Sequence, residues 1–125
     1  MEVASVLNED PNYVFKTLVT IGKSGNHFVF LVPVNRELNL KKAAKTVGEK
    51  SISMVKQAEL LPLTGYIHGG CSPVGMKKLF KTVIDESASS YDKIIFSGGK
   101  IGYQIETTLS ELKKAVPFIL GDISE

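Results

Sequence analysis

Two runs rich in β-branched and aromatic residues, 13–21 and 27–34, flank the turn-forming string Gly22-Lys23-Ser24-Gly25-Asn26. Strand-like runs separated by five such residues read as a β-hairpin, which commits the chain to a sheet from the outset. In the first run a period of two places Val14, Lys16 and Leu18 on one face and Phe15, Thr17 and Val19 on the other. Each face therefore mixes a polar side chain with apolar ones. Lys16 reads either as an edge-strand lysine that blocks sheet-to-sheet association or as a cation directed into a pocket.

Further strands are expected at 93–96 and 102–107, hairpinned across Gly98-Gly99-Lys100-Ile101, with shorter ones at 51–55, 81–85 and 118–123. A helix is expected over 40–47. Asn39 is a good N-cap, Gly48 a good C-terminal stop, and Leu40, Ala43, Ala44 and Val47 recur at helical spacing. Thr108-Leu109-Ser110-Glu111 is a capping box, with Glu111 placed to reach back to the cap amide; it opens a second helix to about Ala115, ahead of Pro117. A short helical turn over 56–61 precedes Pro62. Interleaved strands and helices with hairpin signals predict an α/β chain in the α+β sense: a small curled, mixed, mostly antiparallel sheet or barrel-like core with flanking helices.

The 125 residues form at most one domain, long enough to bury roughly two thirds of the unfolded surface. Fifteen basic against 13 acidic residues give a net charge of +2, too small by itself to predict nucleic-acid binding. Arg36 is the single arginine, so phosphate contacts would rest mainly on lysine point charges. The longest apolar run, 28–34, is too short to span a bilayer, and Met1-Glu2-Val3-Ala4 opens no signal peptide. With Cys71 alone there is no internal disulfide, and His27 and His68 lie too far apart for zinc spacing. These features point to a cytoplasmic protein without metal.

No nucleophile elbow, Walker sequence or complete dinucleotide fingerprint is present. Catalysis, if any, would rest on positioning and hydrogen-bond donors. The most unusual stretch is Thr64-Gly65-Tyr66-Ile67-His68-Gly69-Gly70-Cys71-Ser72-Pro73-Val74-Gly75, with four glycines in twelve residues. It reads as a tight structural loop or as a nest of amides for an anion or carbonyl oxygen. Ser97-Gly98-Gly99-Lys100 has the same two readings, as a plain turn or as the opposite lip of a pocket. Cys71, His68 and His27 read more readily as inert side chains than as catalysts. Lys41-Lys42-x-x-Lys45 and Lys77-Lys78-x-x-Lys81 read as solvated faces or as a rim for an RNA backbone.

In joint order these segments, together with Leu38-Asn39-Leu40 and Val83-Ile84-Asp85-Glu86, resemble the YbaK/EbsC family. That family contains aminoacyl-tRNA deacylases and is related to the editing domain of bacterial prolyl-tRNA synthetases. The resemblance implies a single domain over 1–125 that lacks most of the family's N-terminal helix and strand. It implies a trans-editing hydrolase that removes a mischarged amino acid, cysteine or another small residue, from tRNA(Pro) or a similar tRNA. Chemistry assisted by the substrate's own thiol, with lyase-like release of a cyclic product, is one version. Lys16 matches the functionally important lysine and Thr17 its neighbour, Gly69 and Gly70 the pocket glycines, and Ser97, Gly98 and Gly99 the second pocket loop. Gln104 stands where some members carry an acidic residue, and a neutral amide cannot act as a base. No metal or cofactor is implied. The implied partners are the aminoacyl-tRNA 3′ end and a prolyl-tRNA synthetase, with no membrane and no DNA. The alternatives are a non-catalytic EbsC-like tRNA- or ligand-binding module and, with less support, a nucleotide-binding protein.

Overall fold

In a computed structural model, the structure describes residues 2–3, 13–65, 80–97 and 104–125. Its centre is the expected hairpin: β2 (Phe15–Gly22) and β3 (His27–Pro33) pair antiparallel from Phe15↔Pro33 to Ile21↔His27. The turn closes with Gly25 at a φ of 92°, a conformation that suits glycine. On the far side of β3, β5 (Lys81–Asp85) adds in parallel, followed by β8 (Ile119–Gly121), also parallel. β4 (Ile52–Met54) pairs antiparallel with the end of β2, which completes a five-stranded sheet in the order β4-β2-β3-β5-β8.

A second sheet of three strands, β1 (Glu2–Val3), β7 (Gln104–Thr107) and β6 (Ile94–Ser97), runs in the order β1-β7-β6. The sheets are mixed and mostly antiparallel, as expected, but they remain separate sheets and do not close into a barrel. Among the described residues one parallel bridge, Val14↔Ile95, joins them.

Burial follows the period-two pattern. Phe15, Val19, Val29, Leu31, Ile84 and Phe96 share one cluster with Leu60, Leu112 and Phe118. The opposite face holds Phe28, Phe30, Val32, Val83 and Ile123 under Ala43 and Ala44, with Leu18 at its margin. Residues 28–33 of β3 are buried without a break, as befits a central strand covered on both faces. α1 (Leu40–Val47) covers the second face. Its Asn39 side chain accepts from the Lys42 amide at 3.0 Å, and Gly48 ends it in the left-handed region at φ 76°. α3 (Leu109–Ala115) lies on the first face, with the Thr108 hydroxyl accepting from the Glu111 amide at 3.1 Å. The Glu111 carboxylate meets Lys114 Nζ at 3.3 Å. α2 (Gln57–Thr64) is longer than expected and runs through Pro62. The Thr64 hydroxyl donates to the Leu60 carbonyl at 2.8 Å near the helix end. No helix among the described residues is long and apolar enough to cross a membrane.

Asp85 ties β5 to the C-terminal segment. It is 2% exposed, and it accepts from the amides of Ile123 (3.3 Å), Ser124 (3.1 Å) and Ser87 (3.2 Å). Burial pushes this carboxyl up, yet the surrounding groups of Ser87, Ile123 and Ser124 outweigh burial and hold it below the ordinary carboxylate range. The amides are the donors that matter, because the Ser87 hydroxyl makes no hydrogen bond among the described residues. A carboxylate held below its unfolded value contributes stability above that value, and the contribution fades as pH falls through the folded one. Asp85→Asn should therefore cost about 1–3 kcal/mol in neutral-pH denaturant melts. The deficit should begin to shrink below about pH 4, where the unfolded-state carboxyl takes up its proton, and should close only as pH falls through the lower folded value.

Candidate active site at the fork between the sheets

Of the expected site residues, Lys16, Thr17, Ser97 and Gln104 are among those described, and they lie on strands that border a split in the sheet. The outer edge of β2 is shared by two strands. At its start Tyr13 accepts at its carbonyl from the Ile95 amide (2.9 Å). Towards its end Val19 accepts from the Val55 amide (3.1 Å), and β4 pairs from Thr20 onward. Between these, residues 16–18 have no strand partner on that edge among the described residues. The pairing with β6 stops after one bridge, so the two strands separate and leave a fork. Lys16 thus lies on a strand that is interior overall yet locally an edge.

The ladder also fixes which main-chain groups face this gap. The Val14 carbonyl accepts from the Val34 amide (2.8 Å), so residues 14, 16 and 18 direct their main-chain groups at β3. By alternation the amide and carbonyl of Thr17 point out of the edge into the fork.

Side-chain faces follow from the same register. Residues paired in a parallel bridge share a face, so Val14 and Ile95 do; two residues further along each strand, so do Lys16 and Ser97. Ser97 pairs with Gln104, which adds Gln104 to that face. By this register Lys16, Ser97 and Gln104 fall on the same side of their strands. Thr17 lies on the other, with Phe96 and Ile105. Gly69, Gly70, Gly98 and Gly99 lie outside the described residues.

Lys16 is half-buried, its side chain 28% exposed, with Nζ 3.6 Å from Oε1 of Glu37, which is 81% exposed. A pair this open to water contributes about 0–1 kcal/mol and gives way readily to a bound anion. Glu37 was not anticipated from the sequence. It is positioned by the C-terminus, exchanging main-chain hydrogen bonds with Glu125 at 3.3 and 3.0 Å. Two side-chain oxygens near the fork, Thr17 Oγ1 and Gln104 Oε1, are buried without a hydrogen-bond partner among the described residues. They lie on opposite faces, Gln104 on the side of Lys16 and Thr17 on the other. Chemically, the fork offers an ammonium, an outward main-chain amide and acceptor oxygens, a set suited to holding a polar ester.

Solved structures share this architecture. The fold superimposes on a protein described as a trans-editing enzyme for prolyl-tRNA synthetase with a TM-score of 0.88 at 25% identity, covering 99% of this chain and 86% of that one. It matches the structure of the protein APE2540 with a TM-score of 0.89 at 23% identity, covering 99% and 91%. In sequence the chain is 49% identical over 104 residues to EbsC of Enterococcus faecalis, which carries the name of a Cys-tRNA(Pro)/Cys-tRNA(Cys) deacylase. It is 31% identical over 102 residues to the proline–tRNA ligase of Thermosipho melanesiensis. These matches cover 83% and 82% of this chain but 63% of EbsC and 18% of the ligase. The model of the aminoacyl-tRNA editing domain matches residues 1–115, and the chain belongs to that family.

Thr17→Val removes the unpartnered hydroxyl while keeping the shape of the side chain. Without substrate, its stability in thermal or urea melts should stay within about 1 kcal/mol of the parent or rise. A larger loss would mean that the hydroxyl is already satisfied within the fold.

Proposed function

We propose that the chain is a trans-editing aminoacyl-tRNA deacylase, with Cys-tRNA(Pro) as its substrate. The observation that carries this reading is the single bridge Val14↔Ile95, which opens the sheet beside Lys16 and brings Ser97 and Gln104 to the lysine's face. Family membership and the names of EbsC and the structural neighbour support it.

An aminoacyl ester is already activated, so fixing its geometry and stabilising the charge that develops on its carbonyl oxygen suffice for catalysis. In this reading the Lys16 ammonium binds the 3′-terminal phosphate or the aminoacyl end and displaces Glu37 as its partner. The outward amide of Thr17 is a donor for the oxyanion. Gly69, Gly70, Gly98 and Gly99 are assigned as further amide donors to the substrate from the family resemblance, and the oxygen of Gln104 accepts from the substrate's α-ammonium. Water adds to the ester carbonyl carbon, and the tetrahedral intermediate collapses with cleavage of the bond to the ribose oxygen. That oxygen takes up a proton, releasing the free amino acid and the tRNA 3′-hydroxyl. Selectivity for a small side chain then follows from the size of the gap. A prolyl-tRNA synthetase is the natural source of the mischarged substrate.

Lys16→Ala should slow single-turnover deacylation of Cys-tRNA(Pro) by roughly 100-fold or more, the scale on which loss of substrate positioning acts. Its stability should change by about 1–2 kcal/mol at most, from a weak, water-accessible ion pair and the packing of the partly covered lysine stem. Deacylation at the parent rate would refute the assignment.

A further inference from the structure

A groove of about 520 Å³ runs between α1 and the segment leading into β4. Its floor is apolar, with Leu40 40% exposed and Ile52 beneath it. Its walls carry Lys41, Lys45 and Lys50, three ammonium groups without a carboxylate partner among the described residues. Lys42, between them in sequence, turns the other way to Asp122 at 3.0 Å. The carboxylate that lines the groove, Glu49, is occupied by Ser24, whose amide and hydroxyl donate to it at 3.1 and 2.6 Å. Three cations thus face one engaged anion across a concave surface.

The position of the groove identifies the occupant. It lies on the face of the sheet that α1 covers, which is also the face of Lys16. It borders the same edge of β2 that opens into the fork. Ile52 pairs with Gly22, six residues along β2 from Lys16, a span of about 20 Å. Lys41 and Lys45, at positions i and i+4, stand about 6 Å apart along the helix. A chain of phosphates that ends at Lys16 can continue over this surface, where fixed ammonium groups replace condensed counterions.

We propose that the α1–β4 groove binds the ribose-phosphate backbone of the tRNA behind its 3′ end, with Lys41, Lys45 and Lys50 as phosphate contacts. This rests on the deacylase reading for the identity of the RNA, but its test does not require turnover. The affinity of the full chain for an uncharged tRNA(Pro) transcript is measured across a KCl series. The pair Lys41→Ala/Lys45→Ala is compared with Lys113→Ala/Lys114→Ala, which removes equal charge from α3 on the opposite face. The α1 pair should flatten the plot of log affinity against log salt by about 2, and the α3 pair should leave it unchanged. Equal flattening by both pairs, or by neither, would overturn the proposal; an acidic protein as the true occupant would give the latter. If the parent fails to deacylate Cys-tRNA(Pro) yet the α1 pair alone flattens the plot, the deacylase reading fails and the groove assignment stands.

Discussion

The parallel bridge between Val14 and Ile95 is the contact on which the rest of the site depends. β2 is satisfied along one edge by β3 from end to end. Along the other it is held first by β6 and then by β4, with residues 16–18 between. Had β6 continued alongside β2, the main chain of Thr17 would be consumed in a ladder and the face of Lys16 would be continuous sheet. Because the bridge among the described residues is a single residue long, the two sheets part there, and the Lys16 ammonium and the Thr17 amide and carbonyl border the parting.

The surrounding packing keeps this split open. Both faces of β3 are buried, so the hairpin cannot shift register without moving every core side chain to the wrong side. Phe96 and Ile94 anchor β6 into one cluster, while α1 and Ile123 press on the other. Asp85 clamps the C-terminal segment through two amides, those of Ile123 and Ser124, and that segment in turn fixes the main chain of Glu37, the partner of Lys16. A buried carboxylate thus sets, at one remove, the position of an exposed one at the site.

Much of this was legible in the sequence, because it is written in local periodicity. The hairpin, α1 with its Asn39 and Gly48 ends, β5 and the Thr108-capped α3 all follow from patterns within a dozen residues. The opposite facing of Lys16 and Thr17 followed from period two alone. Other features have no local signature. The two residues of β1 are a strand only because β7 pairs with them. The 3₁₀ turn Glu86–Ser90 is organised by the Asp85 carboxylate accepting from Ser87. The separation into two sheets, and the meeting of Lys16 with Ser97 and Gln104, depend on a contact between residues far apart in the chain, which no periodicity encodes. Glu37 was missed for the same reason, since its place is set by Glu125 at the other end of the sequence.

The most direct test is NMR titration with a hydrolysis-resistant analogue, 3′-deoxy-3′-(cysteinylamino)adenosine, followed through backbone amide shifts. If the sheet fork is where the ester sits, the largest changes fall on residues 15–18, 95–97 and 104, with the Thr17 amide moving downfield as it acquires an acceptor. Changes that cluster on another surface, with 15–18 and 104 unmoved at saturation, would contradict the assignment of the fork as the site of chemistry.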